Sequence, residues 1–161
     1  MNEATGKRMY LSPLGPLLLW ENGRGVCRVD FMEDGFEAAA EGTQIFLPEA
    51  EKQLAEYFRG ERREFDLPLS ALGTAFQLAV WKELTRIPYG KTISYGQLAQ
   101  NLGKPGAARA VGMACHFNPL PLIVPCHRVI GGDGGLVGYA GGLHRKKKLL
   151  QMEKEDAEAE R

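Results

Sequence analysis

Three consecutive side chains, Cys126, His127 and Arg128, place a thiol, an imidazole and a guanidinium side by side. A thiol reacts as its thiolate, and a nearby base or cation raises the ionised fraction. Pro125 disfavours helical backbone at Val124, so we predict a strand or loop here. On extended backbone, Cys126 and His127 point in opposite directions and need a bend or a water to interact. The tripeptide alone fits a nucleophile as well as a buried thiol beside two surface cations.

A carboxylate that could serve this cluster lies in the last predicted helix, which begins near Leu143. Leu143, Leu150 and Glu153 share one helical face, whereas the lysines at 146–148 fall mostly on the other faces. A carboxylate on an apolar face is costly without a partner, and His127 is an obvious one. The spacing therefore fits a relay from Glu153 through His127 to the thiol. It equally fits a Glu153 that frays into solvent with the acidic tail.

A glycine-rich segment, residues 131–142, joins the cluster to this helix and contains seven glycines and Tyr139. Glycines let the backbone approach a planar ligand and present N–H and C=O groups to it. The spacing does not match the phosphate-binding GxxxxGK[ST] pattern. A ligand-reading loop and a plain flexible connection both remain open.

Three predicted helices precede the cluster. Two begin with the capping boxes 74–77 and 94–97, and the second of these helices ends at Gly103. A third helix is predicted over residues 107–117. Two helices joined by a short glycine-containing turn have the outline of a helix-turn-helix, although many other helix pairs share that outline.

The third helix is built almost entirely from small residues. Val111, Ala114 and Cys115 share a face that we assign to the core. Arg109 is about 200° from Val111 and is predicted to point outward. A thin outer face with one long cation suits close approach to a nucleic-acid backbone. Tight helix packing with one solvated arginine is the alternative interpretation.

The first half is predicted to be a small α/β unit without obvious chemistry. Strands are expected over residues 9–11, 17–20 and 26–31, a helix over 48–58, and a last edge strand over 65–69. We assign Cys27, in the third strand, to core packing.

The sequence pattern changes at Ser70–Gly73, where we place a domain boundary. The expected fold is an α/β N-terminal supporting domain over residues 1–70, a small mainly antiparallel sheet plus a helix. A mostly helical, winged-helix-like domain containing the helix-turn-helix would follow over residues 71–161.

Charge is distributed unevenly along this chain of net charge zero. Residues 71–150 contain ten Lys and Arg against two acids, a balance of +8, so the remainder carries −8. A basic half suggests a polyanionic partner, although a solvated charged face also explains it.

Composition excludes several classes of protein. There is no run of 18 apolar residues, and the first residues lack the apolar core of a signal peptide. Three cysteines without a CxxC or HxxxH pair argue against a disulfide framework and a structural metal. We expect a cytoplasmic, prokaryotic-type protein with no membrane association and no metal.

At these residues the sequence resembles the O6-alkylguanine-DNA alkyltransferases, also called methylated-DNA–protein-cysteine methyltransferases. The resemblance covers roughly residues 74–153, and the first half resembles the family only in length and strand-rich pattern. The motifs that carry it, in order, are Gly73-Thr-Ala-Phe-Gln77, Val80-Trp81, Ile87-Pro-Tyr-Gly90, Ser94-Tyr95, Ala108-Arg-Ala-Val-Gly112, Asn118-Pro119, Pro125-Cys-His-Arg-Val129, Gly138-Tyr139, Gly142-Leu143 and Arg145-Lys146 with Glu153.

The resemblance implies a role for each residue of the cluster. Cys126 would accept the alkyl group, and His127 would act as its base through a water, oriented by Glu153. Asn118 would hold the turn before the active-site segment. Arg128 would tie that segment to neighbouring helices, and we also place it among the DNA-binding residues.

The resemblance also implies how double-stranded DNA is held, from the minor-groove side. Ser94, Tyr95, Ala108 and Gly112 would contact it, and Arg109 would fill the gap left when the damaged nucleotide flips out. Tyr95 would also crowd the adjacent phosphate and help protonate the leaving guanine.

The base pocket implied by the resemblance is made mostly of backbone. The carbonyls of Cys126 and Val129 and the N–H of Ala140 would read the guanine edge, beside Tyr139. Ala140 has no hydroxyl where some relatives carry one, and Phe117 is bulky where a smaller residue is expected, which should alter packing near Asn118.

The resemblance implies a monomer that repairs DNA once and is inactivated by its own reaction. One alkyl group would leave O6-alkylguanine, or O4-alkylthymine, for each chain, because the thioether product cannot be cleaved. Relatives that bind zinc use several N-terminal Cys and His, and Cys27 alone predicts none. The alternatives are a lesion-binding helix-turn-helix protein without transfer and a Cys–His–Glu hydrolase.

Overall fold

The computed structural model describes residues 3–159, which form two compact units meeting in sequence at Leu72 and Gly73. The first unit is a four-stranded antiparallel sheet with one helix. Its strands lie in the order β3-β2-β1-β4. Their bounds are β1 Gly6–Ser12, β2 Gly15–Glu21, β3 Val26–Phe31 and β4 Glu41–Gly42.

The central strand β2 supplies much of this core, since Leu17, Leu18 and Leu19 are all buried. It pairs with β1 through a tight turn in which Gly15 has a φ of 102°, a left-handed conformation that glycine adopts without strain. The helix α1, Leu47–Phe58, packs on β1 and β2 and buries Tyr57 completely.

Two predictions for this unit need correction. Residues 65–69 do not form a strand. Leu69 makes only an isolated bridge to Val26, whose N–H donates to the Pro68 carbonyl at 2.9 Å. Pro68 has no N–H to extend a ladder beside β3. The fourth strand of the sheet is β4, which pairs with β1 at the opposite edge. Cys27 is half-buried rather than a core residue.

The second unit is mostly helical. Its elements, in chain order, are α2 Ala75–Leu84, β5 Ile93–Ser94, α3 Tyr95–Asn101, α4 Ala108–His116, a 3₁₀ turn Cys126–Arg128, β6 Val129–Ile130 and α5 Leu143–Ala159. Helices α2 and α3 both pack against α4. The succession of α3, a short turn and α4 is consistent with the expected helix-turn-helix, and the α/β-then-helical fold class is confirmed.

Local capping explains where these helices begin. Thr74 and Gln77 form the complete capping box before α2. Before α3, Ser94 accepts from the N–H of Gln97 at 3.0 Å, but the Gln97 side chain donates to Asn101 instead of returning to Ser94. The second capping box is therefore only half formed.

The buried face of α5 differs from the predicted one. Lys146, Leu149 and Glu153 face inward, whereas Leu143 is 48% exposed and Leu150 is half-buried. Glu153 therefore lies on the predicted inward side of α5, whereas Lys146, which was expected on another face, is also buried. Among residues 3–159, no helix is both long and apolar enough to cross a bilayer.

Candidate active site

Cys126, His127 and Arg128 lie on one 3₁₀ turn rather than on extended backbone. The turn follows Pro125, and the N–H of Val129 closes it by donating to the Cys126 carbonyl. All three side chains are buried, with 7%, 0% and 5% of their surfaces exposed. The interpretation of a thiol beside two surface cations is therefore wrong, and the turn supplies the bend that the extended backbone lacked.

Glu153 on α5 holds both basic side chains of this turn. Its Oε2 lies 2.7 Å from Nε2 of His127. Nε and Nη2 of Arg128 donate to the two carboxylate oxygens at 2.8 and 3.0 Å, a bidentate pair. Nη1 of Arg128 donates to the Ile87 carbonyl at 2.8 Å, and Gly90 N–H also reaches Glu153 at 3.3 Å.

These contacts decide the protonation states. Burial raises the pKa of Glu153, but hydrogen bonds from His127 and Arg128 outweigh it and hold that pKa far below its ordinary value. Burial lowers the pKa of His127 more than the hydrogen bond with Glu153 raises it. The site therefore contains a carboxylate, a guanidinium and a neutral imidazole.

The thiol of Cys126 is also neutral when no substrate is bound. Burial raises its pKa, while a hydrogen bond with Asn118 and the charge of Lys146 lower it in part. The Arg128 cation is committed to Glu153, so forming the thiolate requires a base. The buried Nδ1 of His127 has no hydrogen-bond partner among residues 3–159 and can accept a proton.

Asn118 shapes the segment that leads to the thiol. Its Nδ2 donates to the Val124 carbonyl at 3.0 Å, and its Oδ1 accepts from Leu120 N–H at 3.0 Å. Between them, Leu122 is buried with a φ of 77°, a conformation that costs a non-glycine residue energy. The buried amide thus stabilises a strained turn that delivers Cys126.

Cys126 lines a small cavity of about 40 Å³. The other residues around it are Tyr95, Gly112, Cys115, His116, Gly138, Tyr139 and Ala140. The Tyr95 hydroxyl donates to the Val137 carbonyl at 3.3 Å, and burial beside Cys115 and Cys126 raises its pKa to about 12. Tyr95 is therefore a proton donor rather than a base.

A wider groove of about 400 Å³ adjoins this cavity and shares Tyr95, Gly112 and Gly138 with it. Ala108, Arg109 and Val137 complete its walls. Arg109 is exposed on α4, as its predicted outward direction requires.

Arg128 and Phe117 have different surroundings from those expected. Arg128 cannot contact DNA, because its guanidinium is buried against Glu153. The Ser94 hydroxyl caps α3, as the predicted capping box requires. The Val129 side chain is fully buried, so Val129 can offer only backbone groups to a base. Phe117 is 56% exposed beside His116, so it points away from the packing around Asn118.

Two residues near the site were not predicted from the sequence: Cys115, which lines the cavity, and Lys146, which donates to the carbonyl of the cavity residue Gly138. Cys115 was assigned to the core, although it lines the same cavity as Cys126. Lys146 was placed on the surface, although it is fully buried. Its spacing of three and seven residues before Leu149 and Glu153 was the available signal. Among the described residues, no cluster of His, Cys, Asp and Glu could hold a metal ion.

Comparison with known proteins covers both units. Residues 7–71 match the ribonuclease-like domain of 6-O-methylguanine DNA methyltransferase, and residues 75–155 match its DNA binding domain. The family relationship thus extends into the first half, where the sequence had suggested only a general likeness.

Individual similar proteins point to the same family. A methylated-DNA–protein-cysteine methyltransferase of Mycobacterium leprae is 48% identical, covering 89% of this chain and 88% of its own. A methyltransferase of the same description from Methanosarcina acetivorans is 46% identical, and the match covers 90% of this chain and 96% of its own. The crystal structure of Mycobacterium tuberculosis OGT in complex with DNA is 47% identical over 93% of both chains, with a TM-score of 0.84.

A buried thiol with a histidine–carboxylate pair, on a DNA-binding helical unit, defines a protein that uses cysteine chemistry on DNA. The chain belongs to the 6-O-methylguanine DNA methyltransferase family.

Proposed function

We propose that this protein repairs double-stranded DNA by transferring the alkyl group of O6-alkylguanine to Sγ of Cys126, once per chain. The observation that carries the proposal is the buried series Cys126, His127, Glu153, which opens on a cavity bordered by Tyr95. Family membership supports the substrate class. The enzyme is accordingly a methylated-DNA–protein-cysteine S-methyltransferase that is consumed by its reaction.

The proton leaves the thiol through His127. Because the Glu153 carboxylate accepts from Nε2, that nitrogen carries the hydrogen of the neutral ring, and Nδ1 is left as the acceptor. Nδ1 takes the Cys126 proton through a water, and Glu153 stabilises the imidazolium that forms. Arg128 keeps the carboxylate ionised and oriented.

The thiolate then attacks the alkyl carbon in line. The S–C bond forms as the C–O bond breaks, and the electron pair leaves with guanine. The Tyr95 hydroxyl, a neutral donor at the cavity edge, supplies a proton to the departing base. The product thioether has no neighbouring group able to cleave it, so each chain acts once without a cofactor.

Access to the base requires that the nucleotide leaves the stack, which costs a few kcal/mol. The groove beside the cavity, lined by Ala108, Arg109 and Gly112, suits a helix in the minor groove with Arg109 in the vacated position. The flipped guanine would be read by the carbonyls of Cys126 and Val129 and the N–H of Ala140.

We assign the chemistry to the unit that begins at Gly73, and a supporting role to the unit that ends at Leu72. The free thiols of Cys27, Cys115 and Cys126 suit a reducing cytoplasm. We also propose a monomer that accepts O4-alkylthymine as a second substrate.

The decisive experiment follows the label from duplex DNA carrying radiolabelled O6-methylguanine. We expect transfer to protein at about one group per chain, because the nucleophile is the final acceptor. Cys126→Ala should abolish it, whereas Cys115→Ala, the matched cysteine of the same cavity, should retain it. Label that stays on tightly bound DNA would favour a lesion-binding module, and repeated release of label would favour a hydrolase.

A second experiment tests nucleotide flipping. Arg109→Ala should slow repair of duplex far more than repair of the free alkylated base, because only the duplex leaves a gap to fill. Lys91→Ala, which removes an exposed lysine outside the groove, is the charge-matched control. Equal losses of Arg109→Ala on both substrates would contradict the role of Arg109.

A further inference from the structure

The outward face of α4 ends in two large apolar side chains. Met113 is 58% exposed, and Phe117, which follows the last residue of the helix, is 56% exposed. Both continue the spacing of four residues that starts at Arg109, so the three side chains succeed one another along one face. The opposite face packs Val111 and Ala114 into the core. We call Met113 and Phe117 the apolar ridge.

The apolar ridge is continuous with the proposed substrate site at both ends. One turn before Met113, Arg109 lines the groove that adjoins the alkyl cavity. At the other end, the Phe117 ring meets the His116 ring edge to face, with centroids 5.1 Å apart, and His116 lines the cavity itself. The ridge therefore borders the opening through which a flipped nucleotide must enter.

The exposure of these side chains indicates an interaction surface. Single exposed apolar residues are ordinary on protein surfaces. Two on one helical face, beside a binding groove, form a patch of the kind that contacts a partner. Without that partner, a thioether and a phenyl ring remain in water at the edge of the site.

Charge and chemistry select the partner. The stretch 71–150, which contains α4, carries a balance of +8, and Arg109 adds a cation to the same face as the ridge. The partner should therefore be a polyanion that also offers apolar surface. The minor groove of duplex DNA has both properties, and proteins that bind there insert apolar side chains, Phe and Met among them, between its base steps.

The length of the ridge fits a stretch of intact duplex. A rise of about 1.5 Å per residue places Phe117 about 12 Å along the helix from Arg109. At about 3.4 Å per base pair, this distance equals about three to four base pairs for a helix lying along the groove. The ridge thus extends beyond the flipped nucleotide on one side.

We propose that Met113 and Phe117 pack into the minor groove of duplex DNA beside the flipped nucleotide, and that they supply affinity without neutralising phosphates. The proposal rests on the proposed function for its duplex. Lysine and arginine contacts to phosphate weaken as salt is added, because they depend on counterion release. Apolar contacts of the ridge release no counterions, so their contribution is nearly independent of salt.

The first test compares Met113→Ala and Phe117→Ala with the wild-type chain. Leu11→Ala is the matched control, because Leu11 is an exposed apolar residue on β1 of the other unit. Fluorescence anisotropy measures the affinity for an undamaged labelled duplex over a range of salt concentrations. Each ridge variant should bind about three- to tenfold more weakly, as expected when the exposed half of a large apolar side chain is buried in the complex.

The salt dependence identifies the kind of contact. The slope of log Kd against log salt should stay at the wild-type value in both ridge variants, because neither loses a cation. Leu11→Ala should change neither the affinity nor the slope. An affinity that is unchanged in both ridge variants, or a slope that falls with it, would overturn the proposal.

A charge variant sharpens the assignment. Met113→Glu should weaken binding more than Met113→Ala does, most of all at low salt, because its carboxylate would face the polyanion. Leu11→Glu carries the same added charge on the other unit and should have little effect. Equal losses in the two glutamate variants would show a general effect of net charge and would contradict a contact at Met113.

Two further measurements separate the remaining possibilities. If light scattering shows a wild-type dimer that Met113→Ala dissociates, a second copy of the chain covers the ridge, and the proposal fails. Methyl transfer from free O6-methylguanine should proceed at one rate in the wild type and both ridge variants, because the free base does not reach the ridge. A wild-type chain that transfers no alkyl group would sink the proposed function, while the duplex affinities would still decide the role of the ridge.

Discussion

Within residues 3–159, each unit contains one fully buried glutamate, and the two have different partners. Glu21, at the end of β2, accepts from the backbone N–H groups of Phe46 at 2.9 Å and of Ile45 and Leu47 at 3.2 Å. The Thr43 hydroxyl also donates to it at 3.1 Å. Because Phe46 offers no side-chain cap, Glu21 satisfies the first N–H groups of α1 from a neighbouring strand.

Glu153 is equally buried, but its main donors are the side chains of His127 and Arg128. A backbone N–H neither titrates nor moves a proton, so the carboxylate of Glu21 can only hold the fold together. A histidine changes charge near neutral pH, so the carboxylate of Glu153 can affect a reaction. The donors, rather than burial or residue type, separate a structural from a functional carboxylate.

The largest expected effect is that of Glu153→Gln. It leaves Arg128 as a buried, unpaired charge, which should lower the free energy of unfolding by about 3–5 kcal/mol. It also removes the anion behind His127, so transfer by the folded fraction should slow by about 10² or more. Single-turnover transfer and DNA affinity are measured together. A defect confined to DNA binding would contradict the relay.

Glu21→Gln is the matched substitution in the other unit. It leaves backbone N–H groups of α1 poorly satisfied and should lower the free energy of unfolding by about 1–3 kcal/mol. Denaturant unfolding measures that loss. Transfer by each folded molecule should stay at the wild-type rate, and a slowing comparable with that of Glu153→Gln would break the distinction between the two carboxylates.

Acid should destabilise the protein through Glu153 and His127. The folded pKa of His127 lies below its ordinary value of about 6.5, so the unfolded chain binds the extra proton as pH falls below that value. The folded pKa of Glu153 is also depressed, so its contribution is complete above about pH 4.3 and is lost as pH falls further. Both groups therefore lower the free energy of unfolding as the pH falls.

Each proton so taken up should cost up to about 1.4 kcal/mol of stability per pH unit. The slope of unfolding free energy against pH, measured from neutral to acid, tests this. His127→Gln should flatten the slope below neutral pH. A wild-type stability that rises on acidification through this range would contradict the assignment of a neutral histidine.

The smallest expected effect is that of Thr74→Ala. Unlike α1, the helix α2 is capped by its own neighbouring residues, with Thr74 accepting from Gln77 N–H at 3.1 Å and Gln77 returning a bond. Losing one such cap should cost about 1 kcal/mol. Thermal unfolding checks the loss, and transfer should be unaffected. A cost larger than that of Glu21→Gln would show that the local cap outweighs the distant one.

Much of this molecule could be predicted from local pattern. The strands around Leu17 and Val29, the helix from Pro48, the Thr74 cap and the outward direction of Arg109 depend on residues within a few positions of one another. Glu153 faces His127 as expected, although the face that it was predicted to share with Leu143 and Leu150 is not the buried one.

Other features depended on partners far away in sequence. The 3₁₀ turn at Cys126, the cap that Glu21 places on α1 and the exposure of Phe117 had no local signal. The edge strand expected around Pro68 failed for a local reason instead, since Pro68 has no N–H to donate to a ladder.

The sequence by itself determined the helices, the two-part organisation and the residue types that identify a cysteine-based DNA-repair family. Only the tertiary structure decided that Arg128 faces Glu153 rather than DNA, and that Lys146 alone among its neighbours 146–148 is buried. The physical reason is that burying a charge depends on hydrogen-bond partners from other elements. The carbonyls of Val137 and Gly138 become such partners only when the chain has folded.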